Sequence, residues 1–238
     1  NLALTVQDLE LEKTWATRQD ESRVNYSYTA AQFEQALAQR PDLSDAEKAY
    51  MKLLADGTAY HMPDDGPLII SWSLVRSDSP GLRPGVDIED EYFDRYHDLA
   101  ERAMRAWEAV ANIKFIEVAD NDHSIGLMRV FVFPSAQPSG GDNSIFVSSL
   151  SPLTTYIHEI GHHLALDHPF HDTFSLPDLF PKDMTERKTL NSIMGYGQRE
   201  ERTITQNDIN MIQLLYGAPG TDFDGLESLI DTPLYYFL

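Results

Sequence analysis

Four of the eight histidines in this 238-residue chain fall within eleven residues, HEIGHHLALDH, from residue 158 to residue 168. In an α-helix, with about 100° of rotation and ~1.5 Å of rise per residue, His158 and His162 lie one turn apart on the same face. Both side chains can therefore reach one metal ion through a ring nitrogen. Glu159 lies at the edge of that face, whereas His163 is turned away from it.

The pattern H-E-x-x-H, which residues 158–162 form, is typical of a catalytic zinc site. Two imidazoles hold Zn²⁺ there, and the glutamate takes a proton from the water that the metal activates. A helix can also present two histidines and a glutamate by accident, so the pentapeptide alone leaves both interpretations open.

A third histidine, His168, favours the metal site. In a continuous helix it would lie ~15 Å beyond His158 along the axis, too far to share an ion. It can be a ligand only if the chain turns back near residue 165, and Pro169 is consistent with such a turn because proline disfavours helix at the residue before it. We therefore predict one zinc ion held by His158, His162 and His168, with His163 as a partly exposed or hydrogen-bonded bystander.

With these residues the sequence resembles the metzincin zinc proteases, whose pattern is H-E-x-x-H-x-x-G-x-x-H followed by a Met-turn. SIMGYG (192–197) is similar to that turn. Within the group the chain is most similar to the serralysin catalytic domain, through Pro169, Tyr196, the segment DINMIQLLYGA (208–218) and the absence of cysteine. The resemblance covers residues 66–218 and does not include the calcium-binding repeats that usually follow in serralysins.

The resemblance implies a zinc endopeptidase that hydrolyses peptide bonds in protein or peptide substrates. Glu159 would act as general base and then general acid. Tyr196 would donate a hydrogen bond to the oxyanion, unless it is only a buried aromatic residue, and Met194 would form an apolar floor beneath the histidines without contacting zinc. The alternatives are a catalytically impaired metzincin-like binding module and a structural zinc domain. Structural zinc usually takes four ligands and favours cysteine, which this chain lacks.

One departure from the family pattern concerns the turn itself, because Ala165 stands where the family has glycine. Glycine at a helix end indicates a positive φ, and alanine in that conformation costs on the order of 1 kcal/mol. The sequence therefore predicts a strained backbone at residue 165.

Periodicity and turn residues predict an α+β domain. The resemblance adds a twisted, mostly parallel sheet, a long packing helix, an active-site helix and a mostly irregular C-terminal subdomain closed by a helix. We expect a helical extension or pro-segment over residues 1–64, the catalytic domain over 65–218 and an acidic tail over 219–238. The predicted helices span 29–40, 43–57, 90–113, 153–166 and 205–218, and the predicted strands span 67–75, 114–119, 124–133 and 143–149, the last after a turn at 138–142. The strand at 143–149 is expected either at the sheet edge, where a substrate could pair with it, or in the interior.

Composition limits the partners. Lys and Arg number 18 against 38 Asp and Glu, which gives a net charge of −20 and argues against nucleic acid or an anionic membrane surface. No apolar run approaches the ~18 residues of a membrane span. We expect a monomer, secreted by a bacterial-type route as the resemblance implies. Calcium is a weaker expectation and rests on acidic residues of the tail, Asp222, Asp224 and Glu227.

Overall fold

A computed structural model describes most of the chain, namely residues 25–79, 82, 86–118, 120, 128–134, 137–141, 144–170, 191–195, 203–222 and 225–236. The described helices are α1 (Ala30–Ala38), α2 (Asp45–Leu54), α3 (Phe93–Glu108), α4 (Leu153–His163), α5 (Gln206–Tyr216) and a 3₁₀ helix (Leu226–Leu229). Capping boxes begin α1 and α2, with Thr29 and Ser44 as the capping residues. None of the helices in these ranges combines the length and the apolar character needed to cross a membrane.

Five strands form the main sheet: β3 (Leu68–Leu74), β4 (Ile113–Glu117), β5 (Met128–Phe133), β6 (Ser139–Gly141) and β7 (Ser144–Ser148). Their order is β4-β3-β5-β7-β6, and all neighbours are parallel except β6 and β7. The predicted α+β class with a mostly parallel sheet is confirmed.

The sheet corrects two sequence predictions. The strand expected at 143–149 is β7, and it pairs on both sides, so of the two expected positions the interior one is correct and the edge one is wrong. The turn expected at 138–142 contains β6, which is one of the two edges of the described sheet, with β4 at the other. Two of the three β6 residues are glycines, and this turn-like composition conceals the strand.

Helix α3 packs against both the sheet and α4. Its amphipathic stripe is buried, as the apolar spacing predicts, and Trp107, in the last turn of the helix, has no exposed surface. The indole N–H of Trp107 donates to the carbonyl of Ile157 in α4 at 3.0 Å. This contact fixes α4 to the sheet-covering helix.

The segments before and after the central region share a second sheet. Strands β1 (Asn25–Ser27), β2 (Thr58–Tyr60) and β8 (Tyr235–Tyr236) pair antiparallel in the order β2-β1-β8. Residues from both segments lie in the same hydrophobic cluster as the main sheet, among them Phe33, Met51 and Leu226. The expected N-terminal extension thus contains strands as well as helices, and part of the expected tail is ordered against it.

Candidate metal centre

Helix α4 carries the H-E-x-x-H residues, and it ends at His163, three residues before the predicted end. A Schellman motif terminates it. The N–H of Ala165 donates to the carbonyl of His162 at 3.0 Å, and the N–H of Leu166 donates to the carbonyl of Gly161 at 3.0 Å. Ala165 has a φ of 69°, so the predicted positive φ is confirmed.

Residues of the N-terminal segment hold the chain reversal after α4. The N–H of Asp167 donates to the carbonyl of Leu54 at 2.9 Å, and the N–H of Asp56 donates to the carbonyl of Ala165 at 3.4 Å. Ala55 and Leu166 form an isolated antiparallel bridge between these two bonds. The turn is therefore fixed from outside as well as by its own hydrogen bonds.

The reversal brings three imidazoles together. Nε2 of His168 lies 3.1 Å from Nε2 of His158 and 3.1 Å from Nε2 of His162. Ligand atoms from all three residues lie within 4.8 Å of one another. His168 is only 8% exposed, and its ring stacks on Phe170 with centroids 4.7 Å apart.

Backbone carbonyls fix the orientation of two of these rings. Nδ1 of His158 lies 2.8 Å from the carbonyl oxygen of Ile193, and Nδ1 of His162 lies 2.8 Å from that of Leu166. Because a carbonyl only accepts, both Nδ1 atoms carry hydrogen, and both Nε2 lone pairs face the shared point. Zinc–nitrogen bonds of about 2.1 Å in tetrahedral geometry give nitrogen–nitrogen distances of roughly 3.4 Å, close to those observed. The donor set fits a zinc ion.

Gly161 allows the Met-turn to pack directly under α4. A Cβ at this position would lie 2.5 Å from Sδ of Met194 and 3.2 Å from Cζ2 of Trp107. Met194 has no exposed surface. It therefore packs beneath the helix that carries the histidines.

Glu159 lies between the first two histidines in α4 and is 4% exposed. The edge strand β6 passes against its backbone, because a Cβ on Gly140 would lie 2.3 Å from the carbonyl oxygen of Glu159. Tyr196, the other predicted catalytic residue, lies outside the described residues.

His163 does not face the other three histidines. It is 5% exposed, and its Nε2 lies 2.6 Å from the hydroxyl of Tyr60 in β2. Nearby, the hydroxyl of Tyr216 donates to the carbonyl of Leu164 at 3.2 Å. Of the two alternatives expected for His163, a partly exposed or a hydrogen-bonded bystander, the second is observed. The sequence gave no sign of its partner, which lies 103 residues away.

The sequence analysis did not identify Asp208, which lies in the first turn of α5. The buried Asp208 carboxylate accepts from the N–H groups of Ile193 (3.0 Å) and Thr205 (2.8 Å), from the Thr205 hydroxyl (2.8 Å) and from the Ser192 hydroxyl. Burial raises the pKa of the Asp208 carboxyl, while these hydrogen bonds act in the opposite direction by stabilising the ionised form. A capping-box residue is visible in sequence, but its bonds to the Met-turn are not.

The acidic residues considered for calcium do not form a described site. Glu227 contacts His61, with Oε1 and Nδ1 2.6 Å apart. Asp222 is exposed, and Asp224 lies outside the described residues. Calcium is not shown by the structure.

Comparison with known proteins shows a similarity in sequence to a serralysin. No family model matches the chain. The chain is 25% identical over 189 residues to a serralysin of Photorhabdus sp., an alignment that covers 64% of this chain and 39% of that protein. The chain thus spans about two fifths of the length of this relative.

Two solved structures are similar to this chain, both with low TM-scores. High choriolytic enzyme 1, a hatching enzyme zinc-protease from the medaka Oryzias latipes, has a TM-score of 0.41 and 15% identity, with 64% of this chain and 90% of that chain covered. Myroilysin has a TM-score of 0.40 and 16% identity, with 62% and 92% covered. The predicted resemblance to the metzincin zinc proteases is confirmed by the serralysin relative.

Proposed function

We propose that this chain is a zinc-dependent endopeptidase that hydrolyses peptide bonds in protein substrates. The observation that carries the proposal is the convergence of three imidazole Nε2 atoms, from His158, His162 and His168, around one point. The Nε2 lone pairs of His158 and His162 face this point, and a cation bound there would be ligated by all three nitrogens. Three protein ligands also leave a coordination position open, as in catalytic rather than structural zinc sites.

A zinc ion at this point would act as a Lewis acid that polarises the scissile carbonyl and lowers the pKa of water. Glu159 would take the proton from the attacking water and deliver it to the leaving amine. Its place beside the two histidines of α4 supports this role, and its 4% exposure keeps the carboxylate away from bulk water. Tyr196 would donate a hydrogen bond to the developing oxyanion, and the polypeptide substrate would lie along the edge strand β6.

We further propose that the protein is secreted and monomeric.

The departure at Ala165 does not argue for an impaired binding module, because the turn forms with alanine in place and the three histidines still meet. The similarity to a serralysin supports a protease.

The decisive experiment compares the wild-type chain with Glu159→Gln and His168→Gln. We expect one zinc per wild-type chain and chelator-sensitive cleavage of unfolded casein that zinc restores. Glu159→Gln should keep the zinc and lose at least about 10²- to 10⁴-fold in cleavage rate, because only the proton carrier is removed.

His168→Gln should lose both the metal and the activity, whereas His97→Gln, a histidine of α3 outside the cluster, serves as the control and should change neither. Metal content is measured by mass spectrometry and cleavage by fluorescent peptide release. Full activity in Glu159→Gln, or a wild-type chain that holds no zinc, would refute the proposed function.

A further inference from the structure

A chain of hydrogen bonds leads from His158 to a carboxylate in another helix. Nδ1–H of His158 donates to the carbonyl of Ile193 at 2.8 Å. The N–H of the same peptide group, on Met194, donates to Oγ of Ser192 at 3.0 Å. The Ser192 hydroxyl in turn donates its own hydrogen bond to Oδ1 of Asp208.

All three bonds of this chain run in the same direction, from imidazole to carboxylate. Each member donates to the next, and a chain of this kind polarises its members cooperatively. Metal-binding histidines commonly donate their second ring N–H to a carboxylate or a carbonyl, which fixes the ring and raises its basicity. Here the carbonyl of Ile193 contacts His158 directly, and the carboxylate of Asp208 is linked to that peptide group through Ser192.

The remaining contacts hold the carboxylate in place. Oδ2 of Asp208 accepts from the N–H groups of Ile193 and Thr205, which are donors that cannot reverse. Asp208 has no exposed surface and Ser192 is 1% exposed, so water does not compete for these bonds. The network joins the first turn of α5 to the Met-turn.

We propose that Asp208 is a positioning residue for the metal centre, which orients and polarises His158 through Ser192 and the Ile193–Met194 peptide. The proposal rests on the proposed zinc site. It assigns Asp208 a role beyond capping α5, since a cap requires only the bonds to Thr205. It also gives Ser192 a function that its place in a turn does not require.

The test uses variants of the whole chain that separate two features. One is the hydrogen-bond chain from His158 to Asp208, called the relay here, and the other is the cap that Asp208 and Thr205 form at the start of α5. Ser192→Ala interrupts the relay and leaves the Asp208–Thr205 cap intact, and Asp208→Asn keeps the shape but removes the charge. Thr205→Ala weakens the cap and keeps the relay. Glu47→Gln is the matched control, because Glu47 occupies the same capping-box position in α2.

Zinc affinity is measured by competition with a chromophoric chelator, and folding by circular dichroism. We expect Ser192→Ala and Asp208→Asn to bind zinc about 10- to 100-fold more weakly, the range found when the outer partners of metal-binding histidines are removed. Thr205→Ala and Glu47→Gln should keep wild-type zinc affinity. Unchanged affinity in a folded Ser192→Ala variant, or an equal loss in Thr205→Ala, would overturn the proposal.

A second readout needs no metal and separates failure of the relay from failure of the proposed function. In the metal-free, ¹⁵N-histidine-labelled chain, the Nδ1–H of His158 should give a slowly exchanging NMR signal in wild type and in Thr205→Ala. In Ser192→Ala that signal should shift and exchange faster. A wild-type chain without zinc affinity would refute the enzyme but not the relay, whereas an unaltered signal in Ser192→Ala would refute the relay.

Discussion

Ala165 is held in a conformation that alanine avoids. Isolated, its positive φ would cost on the order of 1 kcal/mol. The Schellman hydrogen bonds and the contacts with Leu54 and Asp56 oppose that cost, because a turn with normal φ would lose all of them. At this residue the chain keeps a ligand geometry at the expense of local backbone strain.

We therefore expect Ala165→Gly to raise the free energy of unfolding by up to about 1 kcal/mol, with unchanged zinc affinity. Ala46→Gly is the matched control: Ala46 is exposed in the first turn of α2 with helical backbone, and glycine there should lower stability by up to about 1 kcal/mol. Urea unfolding in the presence of a chelator measures the free energy of unfolding of both variants. A lower unfolding midpoint for Ala165→Gly would contradict the strain argument.

The predicted zinc ligands illustrate which parts of the site can be read from sequence. His158 and His162 follow from helical geometry, and the turn before His168 follows from Pro169, so these features depend on neighbours within a few residues. Tyr60 contacts His163, and Asp208 contacts the Met-turn, from distant parts of the chain through tertiary packing. No local pattern marks such contacts, and the sequence analysis missed both.

At the scale of elements, β6 also shows that local sequence patterns do not reveal tertiary contacts. Its glycines resemble a turn, but Gly140 is required where the strand passes the backbone of Glu159. Packing against α4 thus overrides the local preference of the sequence.

Residues 1–64 are predicted as an extension or pro-segment. The described part of this segment contacts the C-terminal end of α4 and the turn that follows it. Leu54 and Asp56 bond to the chain reversal after α4, and Tyr60 contacts His163. An inhibitory pro-segment would cover the site and leave the enzyme intact when removed. These contacts instead support the helix end that carries the ligands.

We predict that residues 65–238 alone do not fold into the zinc-binding form, because removal of the segment takes Phe33, Met51 and Leu54 from the hydrophobic cluster. Adding residues 1–64 as a separate peptide should restore zinc affinity and cleavage, as measured by titration. A peptide with Leu54→Asp is the control and should not restore them. A truncated chain with higher activity than the full chain would instead show an inhibitory pro-segment.

At the scale of the whole molecule, an ion pair joins the two terminal segments. His61 follows β2, and Glu227 lies in the 3₁₀ helix, with side chains 29% and 25% exposed. The hydrogen bond that Nδ1–H of His61 donates to Glu227 raises the pKa of His61, and partial burial acts in the opposite direction. Because the folded pKa exceeds the unfolded value of about 6.5, the pair stabilises the fold below that pH and ceases to do so as pH rises through the folded pKa.

Glu227→Gln should therefore reduce the free energy of unfolding more at about pH 5.5 than at about pH 8.5, the range over which histidine titrates. Urea unfolding in the presence of a chelator gives the difference from wild type at each pH. Asp98→Asn, which breaks an exposed pair with Arg102, is the control, and its effect should be the same at both values. Equal effects of Glu227→Gln at the two pH values would contradict the expectation.

The pairing of β1 with β8 limits when the molecule can finish folding. Tyr26 and Tyr236 are register partners, although 236 − 26 = 210 residues separate them. At a synthesis rate of about 5–20 residues per second, β1 emerges from the ribosome roughly ten to forty seconds before its partner strand exists. During that interval one side of β1 is an open strand edge, a template for pairing with other chains. A translation complex stalled before residue 235 would therefore hold an aggregation-prone intermediate, and completion of the last strand would close it.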